Sequence, residues 1–325
     1  MLVAPRAPVT TRSASGSGGR GSSASRPDGP PCFTGRVLAA GDLFAVVVAT
    51  RNRPAAVMRL LDALDRQSDR DFQVAIVDQS DSSDADVEQR VAGSERLHLI
   101  RDQGRGTARA RNLGWRGVGS TWVAFLDDDT PPEPDWAENL RTELAAHPDV
   151  DMVSGPVAAE RAENDGLPAL GGFAVEEPQV LAGRYVRPWR VAGGISTVRR
   201  ATIERVGGWD ERLGPGAPEF LACEDMDFNY RLTRSGGQVY LTPHVRVSHE
   251  QWRTGGEVID LYAAYNRAWG GVVTKYLKTG DPVGAARLAA GRLRGIWRVR
   301  RSRQLARAEL GGFVRGAMRG LRYSW

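Results

Sequence analysis

The stretch "WVAFLDDD" at residues 122–129 sets an electrostatic problem. Five apolar residues, Trp122 to Leu126, run straight into Asp127, Asp128 and Asp129. A continuous apolar run of this kind reads as a strand covered on both faces. Carboxylates crowded at its end repel one another, and one of them titrates upward unless a cation sits beside them. In extended chain, residues two apart point to the same face. Asp127 and Asp129 are therefore expected to share a cation, with Asp128 facing away. Carboxylates prefer hard cations such as Mg2+ or Mn2+, and a metal with few protein ligands stays open to a phosphate group. The plain alternative is a solvated turn or a helix cap.

Outward from this strand the pattern repeats. "LFAVVVAT" (43–50), "FQVAIVDQ" (72–79) and "RLHLIRD" (96–102) read as further buried strands. Between the first two, Pro54 opens a helical stretch whose Val57, Leu60, Leu61 and Leu64 fall on one face. "GTARARNLGWRGV" (106–118) reads as another helix. Strands alternating with helices predict a mostly parallel α/β sheet, and ligands bind such sheets beyond the carboxyl ends of the strands. The residues to watch are Thr50, Arg51, Asn52, Asp78 and Asp127 to Asp129. A dinucleotide-binding turn is excluded: "TRNRP" follows the first strand, and Arg109 stands where a third glycine would follow Gly104 and Gly106. A P-loop is absent too. Beyond residue 150 the pattern loosens. "GGISTVRRATIERVGGWDERLGPG" (193–216) reads as turns with one short helix, and "CEDMDFNYRL" (223–232) as a helix start with acids at its positive end. "QVYLTP" and "VRVSHE" read as two strands, and the chain from about Gln251 as helical.

Composition bounds the class. At 325 residues and 41% apolar content the chain can build a substantial core. Its net charge is +5, and its basic residues are almost all arginine, with lysine only at Lys275 and Lys278. That bias is read as coding drift in a GC-rich genome. Cys32 and Cys223 make no disulfide framework and fit a reducing cytoplasm. No apolar run approaches the ~20 residues that span a bilayer. Residues 1–42 are rich in Ser, Gly, Pro and Arg and are expected to be a disordered arm, or the product of an over-long start assignment.

Seven segments then line up with a known family. "VVVATRNRP" (46–54), "AIVDQSDSSD" (75–84), "GTARARNLG" (106–114), "FLDDDTPPEPDW" (125–136), "GGISTVRRATIERVGGWDERLG" (193–214), "CEDMDFNYRL" (223–232) and "VSHE" (247–250) occur in that order. Together they resemble a family 2 nucleotide-sugar glycosyltransferase of the GT-A fold, an inverting class. The resemblance implies that Asp78 binds the nucleobase, while Gln79 stands where the family often has a second acid. It implies that Thr50 and Arg51 line the nucleotide and that Arg111 meets the base or diphosphate. Asp127 would contact ribose and metal, Asp129 would ligate the metal, and His249 would add a ligand or else sit hydrogen-bonded at a strand end. Glu224 and Asp225 match the acidic pair near the acceptor. Asp225 is the expected base, Glu224 its orienting partner, and Asp227 the alternative cap. Gly193 and Gly194 would let backbone approach the donor sugar. Trp209 would stack on the acceptor or be a buried tryptophan.

Eleven arginines lie between Asp281 and Trp325, against the acids Asp281 and Glu309. Ala306, Leu310, Phe313, Val314, Ala317 and Leu321 keep a helical apolar stripe, and Leu293, Ile296 and Trp297 begin another. A basic amphipathic helix points to a membrane surface or a nucleic acid, and the resemblance, to a family in which many members glycosylate lipid-linked acceptors, favours the membrane. The competing reading packs the stripe on the catalytic domain. No zinc spacing or RNA-binding aromatic strip occurs, so no nucleic acid partner is expected. The sequence thus predicts an arm (1–42), a GT-A catalytic domain (43–250) and a basic helical extension (251–325). The chain would be cytoplasmic, peripheral on the inner face of the membrane. It would transfer a sugar from a UDP- or dTDP-sugar to a glycan or lipid-linked acceptor, with Mn2+ or Mg2+. A nucleotidyltransferase of related fold and a non-catalytic glycan-binding protein are the rivals.

Overall fold

The computed structural model describes residues 32–33, 43–159, 172–184, 186–187, 190–191, 195–249, 255–298 and 303–325. The expected arm and Gly193–Gly194 lie outside the described residues, apart from a short strand β1 (Cys32–Phe33). The first half alternates as expected: β2 (Phe44–Thr50), α1 (Pro54–Asp65), β3 (Gln73–Asp78), α2 (Ala85–Ala92), β4 (Leu97–Arg101), α3 (Thr107–Gly117), β5 (Trp122–Asp127) and α4 (Trp136–Ala146). Shorter elements follow: β6 (Met152–Ser154), β7 (Val157–Ala159), β8 (Gln179–Leu181), β9 (Ser196–Arg199), α5 (Arg200–Val206), α6 (Glu224–Arg234), β10 (Val239–Leu241) and β11 (Val247–His249). Three helices close the chain: α7 (Gly255–Lys278), α8 (Pro282–Arg298) and α9 (Arg303–Arg322).

The main sheet runs β1-β4-β3-β2-β5-β9-β6-β10-β8. Strands β4, β3, β2 and β5 are parallel, and β9 is antiparallel to both β5 and β6. The sequence reading had turns where β9 lies. This four-residue strand has only Val198 as a large apolar residue, and its partners are remote in sequence, so no local period marks it. The register sets the parallel strand ends level: Thr50 pairs with Asp78, Ala49 with Asp127, and Asp78 with Arg101.

The apolar runs lack alternation because both faces are covered. Phe44, Val46, Val48, Val74 and Ile76 meet α1 and α4 on one side. Ala45, Val47, Ala75 and Val77 meet α3 and α6 on the other. Burying such side chains stabilises the fold by about 1.5–3 kcal/mol each. On the second face α3 lies close, for a Cβ on Gly114 would come 2.2 Å from Val47 Cγ1. Pro54 opens α1 at a position where its missing N–H is not needed.

A third core joins Leu213, Phe220, Met226 and Tyr230 to Ala268, Val272, Tyr276, Ala285 and Leu288. Helices α7 and α8 thus pack against α6 and the loop before it. Helix α9 runs parallel to α7 on a glycine face: Gly312 lies by Ala263, Gly316 by Arg267 and Gly320 by Thr274. The expected apolar stripe of α9 divides. Phe313 is buried, whereas Leu310, Val314 and Leu321 are exposed. On α8, Ile296 is buried and Leu293 and Trp297 are exposed.

Candidate active site

Strand β5 ends at Asp127, and Asp128 and Asp129 form a turn. The alternation expected across the three aspartates therefore fails at Asp128. Instead of facing away, Asp128 is buried against the end of β2, where Thr50 Oγ1 donates to its Oδ2 at 2.7 Å. Arg53, one residue before α1, spans the turn. Its Nη1 donates to Asp128 Oδ1 at 2.5 Å and its Nη2 to Asp129 Oδ2 at 3.0 Å. Burial pushes the Asp128 carboxyl up to about 6, against the pull of Arg53.

Asp127 is held from the other side. Arg111, on α3, is buried, with Nη2 donating to Asp127 Oδ1 at 2.9 Å. Its Nη1 donates to Asp225 Oδ1 at 2.7 Å and Glu224 Oε1 at 3.1 Å. One guanidinium thus joins the strand-end aspartate to the acidic pair of α6. Burial would lower its pKa, but Asp225, Asp127 and Glu224 together raise it. Burial also raises the Asp127 carboxyl, against the charge of Arg111. Burial, joined by the charge of Asp225, pushes the Glu224 carboxyl up to about 8. Glu224 is therefore mostly protonated near neutral pH.

The acidic pair opens α6 behind a strained residue. Cys223 has φ +72°, in the left-handed region that costs a side-chain-bearing residue about 1 kcal/mol or more. Gly214 packs on Glu224, and a Cβ there would come 2.8 Å from its carboxyl carbon. Trp209 takes the buried alternative. Its ring stacks on Phe228 (4.1 Å, 5° between planes) and tilts against Phe125 at 4.5 Å. With its faces so covered it cannot stack on an acceptor; its indole N–H instead donates to Asp225 Oδ1 at 3.2 Å. Both side-chain donors to Asp225 use Oδ1, and no bond to Oδ2 occurs among the described residues. Asp227 is no cap: it is fully buried and accepts from Lys275 and Tyr276 of α7.

At the end of β3, Asp78 is buried, with Oδ1 accepting from Ser80 N–H (2.8 Å) and Oδ2 from Arg101. Gln79 beside it donates from Nε2 to Asp102 Oδ2 at 2.8 Å and accepts at Oε1 from Gly106 N–H at 2.9 Å. Arg51 turns to Asp81, at 2.9 Å. His249, ending β11, lies with Nε2 3.7 Å from Asp129 Oδ1.

In kind, Asp127, Asp129 and His249 suit a hard or borderline divalent cation. Among the described residues no three His, Cys, Asp or Glu side chains converge as a metal site. Guanidiniums from Arg53 and Arg111 lie against two of these carboxylates, Asp129 and Asp127. Sequence reasoning passed over Arg53 and Asn112, although both stand inside quoted segments. Asn112 Nδ2 donates to Trp209 C=O, and its Oδ1 accepts from Trp209 N–H, both at 2.9 Å.

The profile of "Glycosyl transferase family 2" matches residues 45–195, and that of "Glycosyl transferase family group 2" matches residues 122–299, over half of the chain. A PGL/p-HBAD biosynthesis glycosyltransferase of Mycobacterium bovis is 30% identical over 213 residues, 64% of this chain and 77% of that protein. An uncharacterized glycosyltransferase of Haemophilus influenzae is 27% identical over 193 residues, 58% of this chain and 62% of its own length. Among solved structures, S. aureus TarS 1-349 in complex with UDP-GlcNAc superposes with a TM-score of 0.54 at 16% identity, covering 69% of this chain and 66% of TarS. At that identity the likeness speaks for the fold alone, which is GT-A. The chain spans less than two thirds of the Haemophilus protein and of the TarS chain.

Proposed function

The chain belongs to glycosyl transferase family 2, and we propose that it moves a sugar from a nucleoside diphosphate donor, a UDP- or dTDP-sugar, to a glycan or lipid-linked acceptor in cell-envelope polysaccharide or glycolipid synthesis. The observation that carries this reading is the convergence of Asp127, Glu224 and Asp225 on Arg111. It joins the end of a parallel strand, where nucleotides bind such sheets, to the acids of a separate helix.

In the proposed reaction Asp225 is the base. Its Oδ1 is clamped by Arg111 and Trp209, which leaves Oδ2 to take the acceptor hydroxyl proton. The acceptor oxygen bonds to the anomeric carbon as the bond to the diphosphate oxygen breaks, so the configuration inverts. Glu224, protonated near neutral pH, can donate a hydrogen bond to an acceptor oxygen. Asp78 would accept the imide N–H of uracil or thymine, with Thr50 and Arg51 along the nucleotide and Gly194 by the donor sugar. Asp127, Asp129 and His249 would hold Mn2+ or Mg2+. Such a metal supplies Lewis acidity that stabilises the departing diphosphate.

A peripheral place on the inner face of the cytoplasmic membrane belongs to the same reading. Leu310, Val314, Met318 and Leu321 are exposed along the side of α9 away from its glycine face, with Arg307, Arg315 and Arg322 exposed beside them. Among the described residues no helix is long and apolar enough to cross a membrane. Such a face suits anionic lipid. Cosedimentation with phosphatidylglycerol vesicles, but not with phosphatidylcholine alone, is the expected result, and Leu310→Glu/Val314→Glu should abolish it.

The decisive experiment on the chemistry is Asp225→Asn. Transfer should be lost while the thermal shift on adding UDP or dTDP with Mn2+ persists. Loss of nucleotide binding would assign Asp225 to the donor site, and retained transfer would remove it from the reaction.

A further inference from the structure

We infer that Lys275 is a positioning residue for Asp225, acting from α7 through Asp210 and Asp227. The inference rests on the proposed role of Asp225 as base. Lys275 Nζ donates to Asp210 Oδ2 and to Asp227 Oδ1, at 2.6 Å each. Its side chain is almost wholly buried, and Asp227 is fully so.

One of these aspartates adjoins a donor to the Asp225 carboxylate, and the other shares its helical turn. Asp210 follows Trp209, whose indole N–H reaches Asp225 Oδ1. Asp227 lies two residues after Asp225 in the first turn of α6. Asn112 already fixes the Trp209 backbone from α3. Lys275 fixes the adjoining side chain from α7. The Trp209 to Asp225 bond, at 3.2 Å, sits at the long end of the hydrogen-bond range, so a slip of a few tenths of an ångström in the Asp210 turn breaks it.

The residue type fits the task. The chain has 44 lysines and arginines, of which only Lys275 and Lys278 are lysines. Arginines hold the same aspartates: Arg212 forks onto Asp210, Nε on Oδ1 and Nη2 on Oδ2, and Arg231 Nε lies on Asp227 Oδ2, at 2.8 Å each. Tyr276 adds a bond to Asp227 Oδ1 at 2.7 Å. Between them remains room for a compact ammonium on a slender stem, whereas a third planar guanidinium would force the carboxylates apart. Together these cations outweigh burial and hold both aspartates below the usual carboxylate range, so both stay ionised.

The test is Lys275→Arg, which keeps the charge and changes the fit. Misplacing a catalytic group by about 1 Å can cost a hundredfold in rate. The expectation is therefore a fall in kcat of about tenfold to a hundredfold. Donor KM and the nucleotide-induced thermal shift should stay unchanged, because the strand-end nucleotide site lies on other elements. Trp209→Phe, which deletes the indole N–H and keeps an aromatic ring on Phe228, covers the case in which Lys275→Arg does not fold. It should show the same split. A folded Lys275→Arg with wild-type kcat overturns the inference, as does equal loss of donor binding. Wild-type kcat in Trp209→Phe overturns it as well. Asp225→Asn separates the layers. If that variant retains transfer, the reading of the base fails; if it is dead while Lys275→Arg and Trp209→Phe are normal, only the role of Lys275 fails.

Discussion

Removing Arg111 should damage stability and transfer together. Its guanidinium is only 3% exposed and donates to Asp127, Glu224 and Asp225. Arg111→Met leaves those carboxyl groups facing one another with no counter-charge. Breaking a buried ion pair from one side costs about 3–5 kcal/mol. Two features move this case to the lower end. The Asp127 and Asp225 side chains keep 35% and 20% of their exposure, so water screens them. Glu224 is mostly protonated near neutral pH and adds little repulsion. About 3 kcal/mol remains, and at roughly 2–3 °C per kcal/mol for a domain of this size the melting temperature should fall by about 6–9 °C. Transfer should drop at least about a hundredfold, because Asp225 Oδ1 loses its shorter donor. Arg111→Lys should fall between, since an ammonium cannot reach all of these carboxyl groups as the fork does. Differential scanning calorimetry and a sugar-transfer assay on the same preparations decide the matter. A folded Arg111→Met that melts within about 2 °C of the parent and transfers at a comparable rate would refute the electrostatic account.

The remaining predictions are briefer. Gly316→Ala should lower the melting temperature although alanine is the better helix former by about 1 kcal/mol, because its Cβ would lie 1.8 Å from Arg267 C=O. Gly311→Ala meets only the flexible tip of Arg315, at 3.2 Å, and should raise it; equal effects from the two would sink the account of α9 packing. Glu224→Gln should stabilise more as pH rises. With its folded pKa raised to about 8, Glu224 binds a proton in the folded state that the unfolded chain has released, so its contribution is whole below the unfolded value of 4.5 and is lost as pH climbs through about 8. Parallel melting curves for parent and variant across that window would contradict the assignment. Gln79→Glu should destabilise by about 2 kcal/mol or more, since it replaces a donor 2.8 Å from Asp102 Oδ2 with a second buried carboxylate. Thermal unfolding near neutral pH measures it.

The parallel half of the sheet was legible because strands covered on both faces are written as unbroken apolar runs, and each chemically marked strand end was in plain view. The acids opening α6 were legible for the same reason: charge beside a helix start stands out. Strands β6 to β9 have three or four residues each and carry no period long enough to read. The alternation at Asp128 failed because the strand stops at Asp127, two residues before the charges do. The tail was legible only in part. Its apolar stripe left a membrane-facing and a packed reading open, and neither named the face that packs: α9 meets α7 through glycines, because backbones that approach so closely leave no space for a Cβ. Lys275 was invisible for want of locality, standing 65 residues from Asp210 and 48 from Asp227.

The chain's own cations beside Asp127 to Asp129 are divided between two elements. Arg53 neutralises Asp128 and Asp129 from the start of α1, and Arg111 neutralises Asp127 from within α3. The division matters because Arg111 also serves Asp225, so the strand end and α6 share one counter-ion. Residues that share a partner do not contribute independently. If Asp127 is neutralised, Arg111 binds Asp225 with less competition; if Asp225 is neutralised, it binds Asp127 so. Asp127→Asn and Asp225→Asn should therefore couple in stability by about 0.5–3 kcal/mol in a double-mutant cycle, and Arg111→Met should remove that coupling. Additive effects in the parent background would mean that Arg111 holds the two carboxylates separately, and the link between strand end and Asp225 would be geometry without energy.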